Sequence, residues 1–251
     1  MADPIHQFEL KTIATVGHIG NMPVVLTQSS VYMIGAVLAI TLFVLLGTSG
    51  RRLVPSRFQS MVELSYEFVA GTVRSSAGTE GMKFFPLVFS LFMFILILNL
   101  VGMVPYSFTV TSHIIITFAL AAIVILTVII YGFMAHGTHF LGLFVPSGVP
   151  AWLLPLMVAI EVISFVSRPI SLSVRLFANM LAGHILLVTF ALLSEALFQA
   201  KGNPGLIPVG VLPLFMLIFL TGFEVLVAFL QAYIFTILTA VYIGGAAHPE
   251  H

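Results

Sequence analysis

The chain has 251 residues, 60% hydrophobic and 7% charged, with nine basic and nine acidic side chains in balance. Soluble domains carry about 25% charged residues, so this composition excludes an ordinary soluble domain, and the neutral balance excludes bulk attraction to nucleic acid. No cysteine is present, which removes disulfides, iron–sulfur clusters and cysteine-based zinc sites.

The mean hydropathy of +1.17 comes from long, unbroken apolar segments. Such segments specify helices, because membrane β-strands alternate in polarity. The expected fold class is an all-α integral membrane protein of about five hydrophobic helices plus one amphipathic helix, in a single membrane domain over 1–251. Residues 1–30 form an N-terminal segment that lacks the basic n-region and short apolar core of a cleavable signal peptide. Residues 31–48 make the first span. Arg51, Arg52 and Arg57 follow as the densest basic cluster, and the positive-inside rule puts that end in the cytoplasm. The N-terminus is then periplasmic and, after five crossings, the C-terminus cytoplasmic.

Residues 57–76 carry too many charges to span. Phe58, Val62, Tyr66, Val69 and Val73 recur at helical spacing opposite Glu63, Glu67 and Arg74, which predicts an amphipathic helix on the membrane surface or against its own bundle. The stretch "SSAGTEG" is expected to end it. Residues 84–134 read as a two-span hairpin with Asn99 and His113 as its notable polar residues. A lone Asn in a span reads first as an interhelical hydrogen bond. "AHGTHFLGLFVPSGVP" reads as a loop rich in Gly and Pro.

The runs 151–199 and 207–247 are each about twice the length of a perpendicular span. No loop-like composition interrupts either, although Pro169, Gly183 and Gly222 could kink them. Two long, strongly tilted helices joined by "AKGNPGLIPVG" are expected, well beyond the ordinary tilt of about 20°. On the first, Glu161, Ser164, Arg168, Ser171, Arg175 and Asn179 fall within an arc of about 80°. His184 and Glu195 point the other way. On the second, Glu224, Ala228, Gln231 and Tyr242 align, flanked by Thr221 and Thr239. Lipid-facing placement of such groups is expensive, so an interior position is expected.

Several of these residues have plain structural readings. Ser164 and Ser171 suit close helix packing, Glu63 and Glu67 suit a wet helix face, and Glu195 suits a solvated helix end. Arg168 fits either a snorkelling position near an interface or a functional one. His136 and His139 have metal-compatible spacing but no evident third ligand, so neither a metal nor a cofactor is expected. Arg175 resists such a reading. A central Arg costs roughly 2.5–3.5 kcal/mol on insertion scales, and a guanidinium cannot shed its proton to escape that cost. One turn away on either side stand Ser171, Leu172, Ala178 and Asn179, none of them a carboxylate. Glu224 is equally isolated, and a buried carboxylate is a candidate proton carrier. His184 is the side chain type that changes charge near neutral pH. Together the three suggest proton handling.

At these residues the sequence resembles a known family. "SRPISLSVRLFANMLAGH" looks like the signature of subunit a, the stator channel subunit of F-type ATP synthases, and "GFEVLVAFLQAYIFTILTAVYI" looks like that family's last helix. The resemblance implies a proton-conducting stator subunit, not itself an enzyme, whose two offset half-channels protonate and deprotonate carboxylates of a rotating c-ring. It implies that Arg175 faces those carboxylates, with Asn179 and Gln231 close by. It also implies that His184 and Glu224 serve the periplasmic half-channel and that Glu161 lies near the cytoplasmic exit. Many bacterial relatives reverse the His and carboxylate positions; the order here resembles mitochondrial members. The implied partners are the c-ring, peripheral-stalk b-type subunits and the lipid bilayer, with the proton as transported ion and the bacterial inner membrane, rather than the mitochondrial one, as location. The alternative from another class, a proton-coupled secondary transporter, would carry internal repeats and paired broken helices, which the sequence does not display.

Overall fold

The computed structural model describes residues 12–19, 22–49, 55–104, 107–145, 150, 152–199 and 208–247. Arg51 and Arg52 of the basic cluster, and most of the expected link between the last two helices, lie outside the described residues. Five helical stretches among those described are long and apolar enough to cross a membrane. The all-α membrane architecture expected from composition is the one found.

The helices are α1 (Gln28–Thr48), α2 (Arg57–Gly81), α3 (Phe85–Gly102), α4 (Ile114–His136), α5 (Leu154–Phe198) and α6 (Val211–Ala247). They are preceded by an antiparallel hairpin of β1 (Thr12–Ile19) and β2 (Met22–Thr27). The hairpin is an addition to the sequence reading. Gly17 and Pro23 interrupt its polarity pattern, and two register shifts interrupt its pairing.

The two C-terminal runs are each one helix rather than two. α5 has 45 residues and α6 has 37, so at 1.5 Å per residue they extend about 67 and 55 Å, against a bilayer core of about 30 Å. α5 continues through Pro169, which removes one N–H from the ladder without ending the helix.

By packing, the chain forms two compact units. The first gathers Met1–Ala39, Ile95–His113 and Leu176–Gln231. In it, the buried Asn99 side chain donates from Nδ2 to the Ala228 carbonyl at 3.3 Å, the interhelical bond a lone membrane Asn is expected to make. In the α3–α4 connection, His113 stacks on Phe108 with ring centroids 5.1 Å apart, and burial lowers its pKa from the ordinary histidine value.

The second unit gathers Ile40–Phe94, Ile114–Arg175 and Ala232–His251. Here α2 packs against α1, α3 and α6. Val62 fills the space that a Cβ at Gly47 of α1 would need, and the Ser76 carbonyl together with Ala77 does the same at Gly244 of α6. Phe68 lies between Phe92 of α3, at 5.7 Å, and Tyr233 of α6, at 5.4 Å. The buried stripe is Val62, Val69, Val73 and Ala77. Phe58 and Tyr66, expected on that stripe, are exposed. The helix also runs past residue 76 to Gly81, broken at Gly78, whose φ of 66° suits a residue without a side chain.

The segment after α4 is more regular than its Gly and Pro content predicted. Gly137, at φ 57°, ends α4, and Gly137–Phe144 then winds as a 3-10 helix. It is held by Phe140, 2% exposed, against Gly132. A Cβ at Gly132 would come within 2.2 Å of the Phe140 ring. Gly132→Ala should therefore destabilise the fold by about 1–3 kcal/mol through overpacking. The thermal midpoint of the purified protein measures this, and adding Phe140→Leu should restore part of the loss.

Candidate functional site

The first unit contains a polar centre in otherwise apolar surroundings. Glu224 of α6 is 4% exposed, and its Oε1 lies 2.9 Å from Nδ1 of His184 on α5. The other ring nitrogen, Nε2, donates to the carbonyl of Gly102 at 2.6 Å. Three helices thus meet at one imidazole: α5 carries it, α6 supplies the carboxylate and the end of α3 supplies the acceptor. The close approach depends on Gly183, because a Cβ there would lie 2.7 Å from Glu224 Oε1. Glu224 Oε2 is buried without a hydrogen-bond partner. A cleft of about 450 Å³ opens beside it, lined by Asn179, Gly183, Glu224 and apolar neighbours including Leu186, Leu220 and Phe223. Gln231, on the same unit's stretch of α6, is 6% exposed.

The second unit holds a different arrangement. Arg168 Nη2 meets Glu161 Oε1 at 3.4 Å, both residues being half-buried. Its guanidinium also lies over the rings of Phe165, at 5.6 Å, and Tyr242, at 5.4 Å. Arg168 therefore has a carboxylate and two ring faces as partners, contacts that suit a planar guanidinium. His136 is engaged as well: its Nε2 donates to the Ala247 carbonyl at 3.2 Å, tying the end of α4 to the end of α6.

Arg175 belongs to the second unit. It lies near the middle of α5 and is exposed, as are Ser171 and the apolar Ile170 and Val174. Among the described residues it has no ion pair. The expected interior placement of the whole α5 stripe is therefore corrected. Glu161, Ser164, Arg168 and Asn179 are half-buried, whereas Ser171 and Arg175 face outward. Most of the α6 stripe turns inward, with Glu224, Ala228, Gln231 and Thr239 buried and Tyr242 half-buried, whereas Thr221 is exposed.

The structure thus brings His184 to Glu224, sets Asn179 along the same cleft, and brings Glu161 to Arg168. Arg175 belongs to the second unit and Gln231 to the first. Sequence reasoning missed Gly102 and the steric role of Gly183. The first acts through a backbone carbonyl, which has no residue signature, while the second stands directly before His184 in "LAGH" and is visible only as a small residue. If the Gly183 constraint is with the Glu224 side chain alone, Gly183→Ala should be destabilising in the native background. It should add almost nothing to Glu224→Ala. A double-mutant cycle on thermal midpoints would read this non-additivity directly.

Comparison with known proteins agrees with this layout. The family model described as ATP synthase A chain matches residues 30–244. The chain is 61% identical over 249 residues to ATP synthase subunit a of Methylobacterium sp. (strain 4-46), covering 99% of this chain and 98% of the relative. It is 59% identical over 251 residues to ATP synthase subunit a of Rhodopseudomonas palustris (strain BisB18), covering all of both chains. It is also 59% identical over 253 residues to the corresponding protein of Nitrobacter winogradskyi, again covering both chains in full. With bacterial relatives and five membrane-length helices, the chain is a multi-pass protein of the bacterial inner membrane. It belongs to the ATP synthase subunit a family and is a proton-translocating component of that complex rather than a catalytic subunit.

Proposed function

We propose that this chain conducts protons through two offset half-channels and that Arg175 divides them. The observation that carries the reading is the exposed guanidinium near the middle of an apolar helix, without an ion pair among the described residues. A fixed charge at such a place needs an anion, and among the described residues the carboxylates of Glu161 and Glu224 are already engaged by Arg168 and His184. The anion is a buried carboxylate of a c-ring sliding past α5. Peripheral-stalk b-type subunits would hold the chain against the torque.

In this reading the N-terminus is periplasmic and the C-terminus cytoplasmic, so His184 and Glu224 belong to the periplasmic side and Glu161 to the cytoplasmic side. Protons enter past Glu224 and neutralise a ring carboxylate, which then crosses into lipid with little desolvation penalty. After nearly a full turn the carboxylic acid reaches the second path, near Glu161, and ionises. Arg175 attracts the resulting carboxylate and repels any proton attempting the direct route, with Asn179 and Gln231 as polar neighbours of that crossing. Membrane potential drives the cycle with about 2.3 kcal/mol per charge per 100 mV. The length of α5 and α6 supports a strong tilt, which would let each helix line both paths along the ring.

Arg175→Ala, in a normally assembled complex in membrane vesicles, should abolish ATP-driven proton pumping while preserving or raising passive proton leak. Pumping retained at the native rate would reduce Arg175 to a packing residue.

A further inference from the structure

His184 meets its two partners through different nitrogens, and this fixes where protons can sit. A carbonyl oxygen has no hydrogen to give, so the 2.6 Å contact with Gly102 requires a proton on Nε2. Gly102 is the last residue of α3, so its carbonyl has no partner within that helix. It stands at the negative end of the helix dipole, a position that favours a hydrogen-bond donor or cation. The same oxygen accepts a second, longer bond from Thr109 Oγ1 at 3.4 Å.

A neutral imidazole carries one ring proton. With that proton on Nε2, Nδ1 is a bare lone pair 2.9 Å from Glu224 Oε1. The contact closes only when one further proton lies between Nδ1 and Oε1, as imidazolium and carboxylate or as imidazole and carboxylic acid. The two forms have the same total charge. Neutral imidazole facing ionised carboxylate would set two lone pairs against each other. Meanwhile Oε2 of the same carboxyl is buried and unpartnered, and Glu224 lines the cleft with Asn179. Among the described residues, the groups that meet the imidazole nitrogens are Glu224 from α6 and the Gly102 carbonyl from α3, and of these Glu224 is titratable.

We propose that His184 is a positioning residue rather than a proton carrier: the end of α3 holds its Nε2–H, one resident proton stays in the Nδ1–Oε1 link, and the transported proton is taken up and released at Glu224 Oε2. The proposal rests on the proton-path reading above and deepens it. In the step, hydronium in the cleft gives a proton to an Oε2 lone pair and becomes water, leaving a neutral carboxylic acid beside imidazolium. The O–H bond at Oε2 then breaks toward the next acceptor, the ring carboxylate or an intervening water, and restores the starting pair. The pair cycles between net charges of zero and plus one, and neither histidine proton moves.

The assembled complex, with histidine ring nitrogens labelled by 15N, tests this by solid-state NMR. The His184 signals are assigned by their loss in His184→Asn. Their pattern should stay constant across about pH 5 to 8, where a histidine ordinarily changes charge. A pattern that titrates in this range, or a switch to the Nδ1–H tautomer, would overturn the proposal whatever the pumping rate. A second arm uses His184→Asn, whose amide can donate to Oε1 but cannot titrate. It should keep ATP-driven pumping within about a hundredfold of native, the scale of one lost charge-assisted hydrogen bond, whereas Glu224→Gln should be silent. His184→Asn as silent as Glu224→Gln, in complexes that assemble equally, would also overturn it. Native pumping by Glu224→Gln would instead sink the proton-path reading on which the proposal stands.

Discussion

A guanidinium keeps its charge at every physiological pH, so an arginine carried outward on an apolar helix needs an anion supplied from somewhere. The charges of the two long helices are otherwise accounted for within the chain. Arg168 has Glu161 and two aromatic rings, Glu224 has His184, and Glu195 is exposed near the end of α5 with Gln199 donating to it. Arg175 is the exception among the described residues. This imbalance is what makes the chain intelligible as one part of a larger complex. The outward face around Arg175, with Ser171 small and Ile170 and Val174 apolar, offers a second membrane protein both contact and countercharge.

The remaining polar side chains show how a membrane helix carries hydroxyls at little cost. Thr72, Thr236 and Thr239 each donate to the carbonyl four residues back, and Ser173 to the one three back. Such back-bonding satisfies a hydroxyl locally, so these residues pack rather than conduct. Asn99 is different because its donor reaches another helix while its Oδ1 is left without a partner. The groups available for proton chemistry are therefore few. Local hydrogen bonding separates them from a larger polar population that looks similar in sequence.

Much of this was legible in the residue order. Apolar run length gave the spans, the absence of loop composition gave two unbroken long helices, and isolation from any carboxylate singled out Arg175 and Glu224. What was not legible depends on backbone or on shape. The β1–β2 hairpin lacks a clean alternation because Gly17 and Pro23 interrupt it. The 3-10 turn at Gly137–Phe144 looks like a loop until Phe140 is seen filling the space beside Gly132. The Gly102 carbonyl cannot be read from any side chain, since a helix end becomes a ligand only when folding brings His184 to it. The inward expectation for Arg175 failed because the cost of lipid exposure was weighed for a chain on its own. In the proposed reading, a partner changes that balance.

The most direct measurement is cross-linking at this face, for which the absence of native cysteines gives a clean background. Ser171→Cys lies one turn from Arg175 on the outward side, and a second cysteine would be placed one turn from the ring's buried carboxylate. A disulfide requires Cα atoms within about 4.4–6.8 Å, so its formation reports the contact itself. If Arg175 faces the ring, mild oxidation of native membranes should link the two subunits and stop rotation-coupled pumping, with reduction restoring it. If the cysteine at 171 fails to cross-link and instead reacts with a lipid-phase thiol reagent in the fully assembled complex, Arg175 does not face the ring and the proposed division of the proton path is wrong.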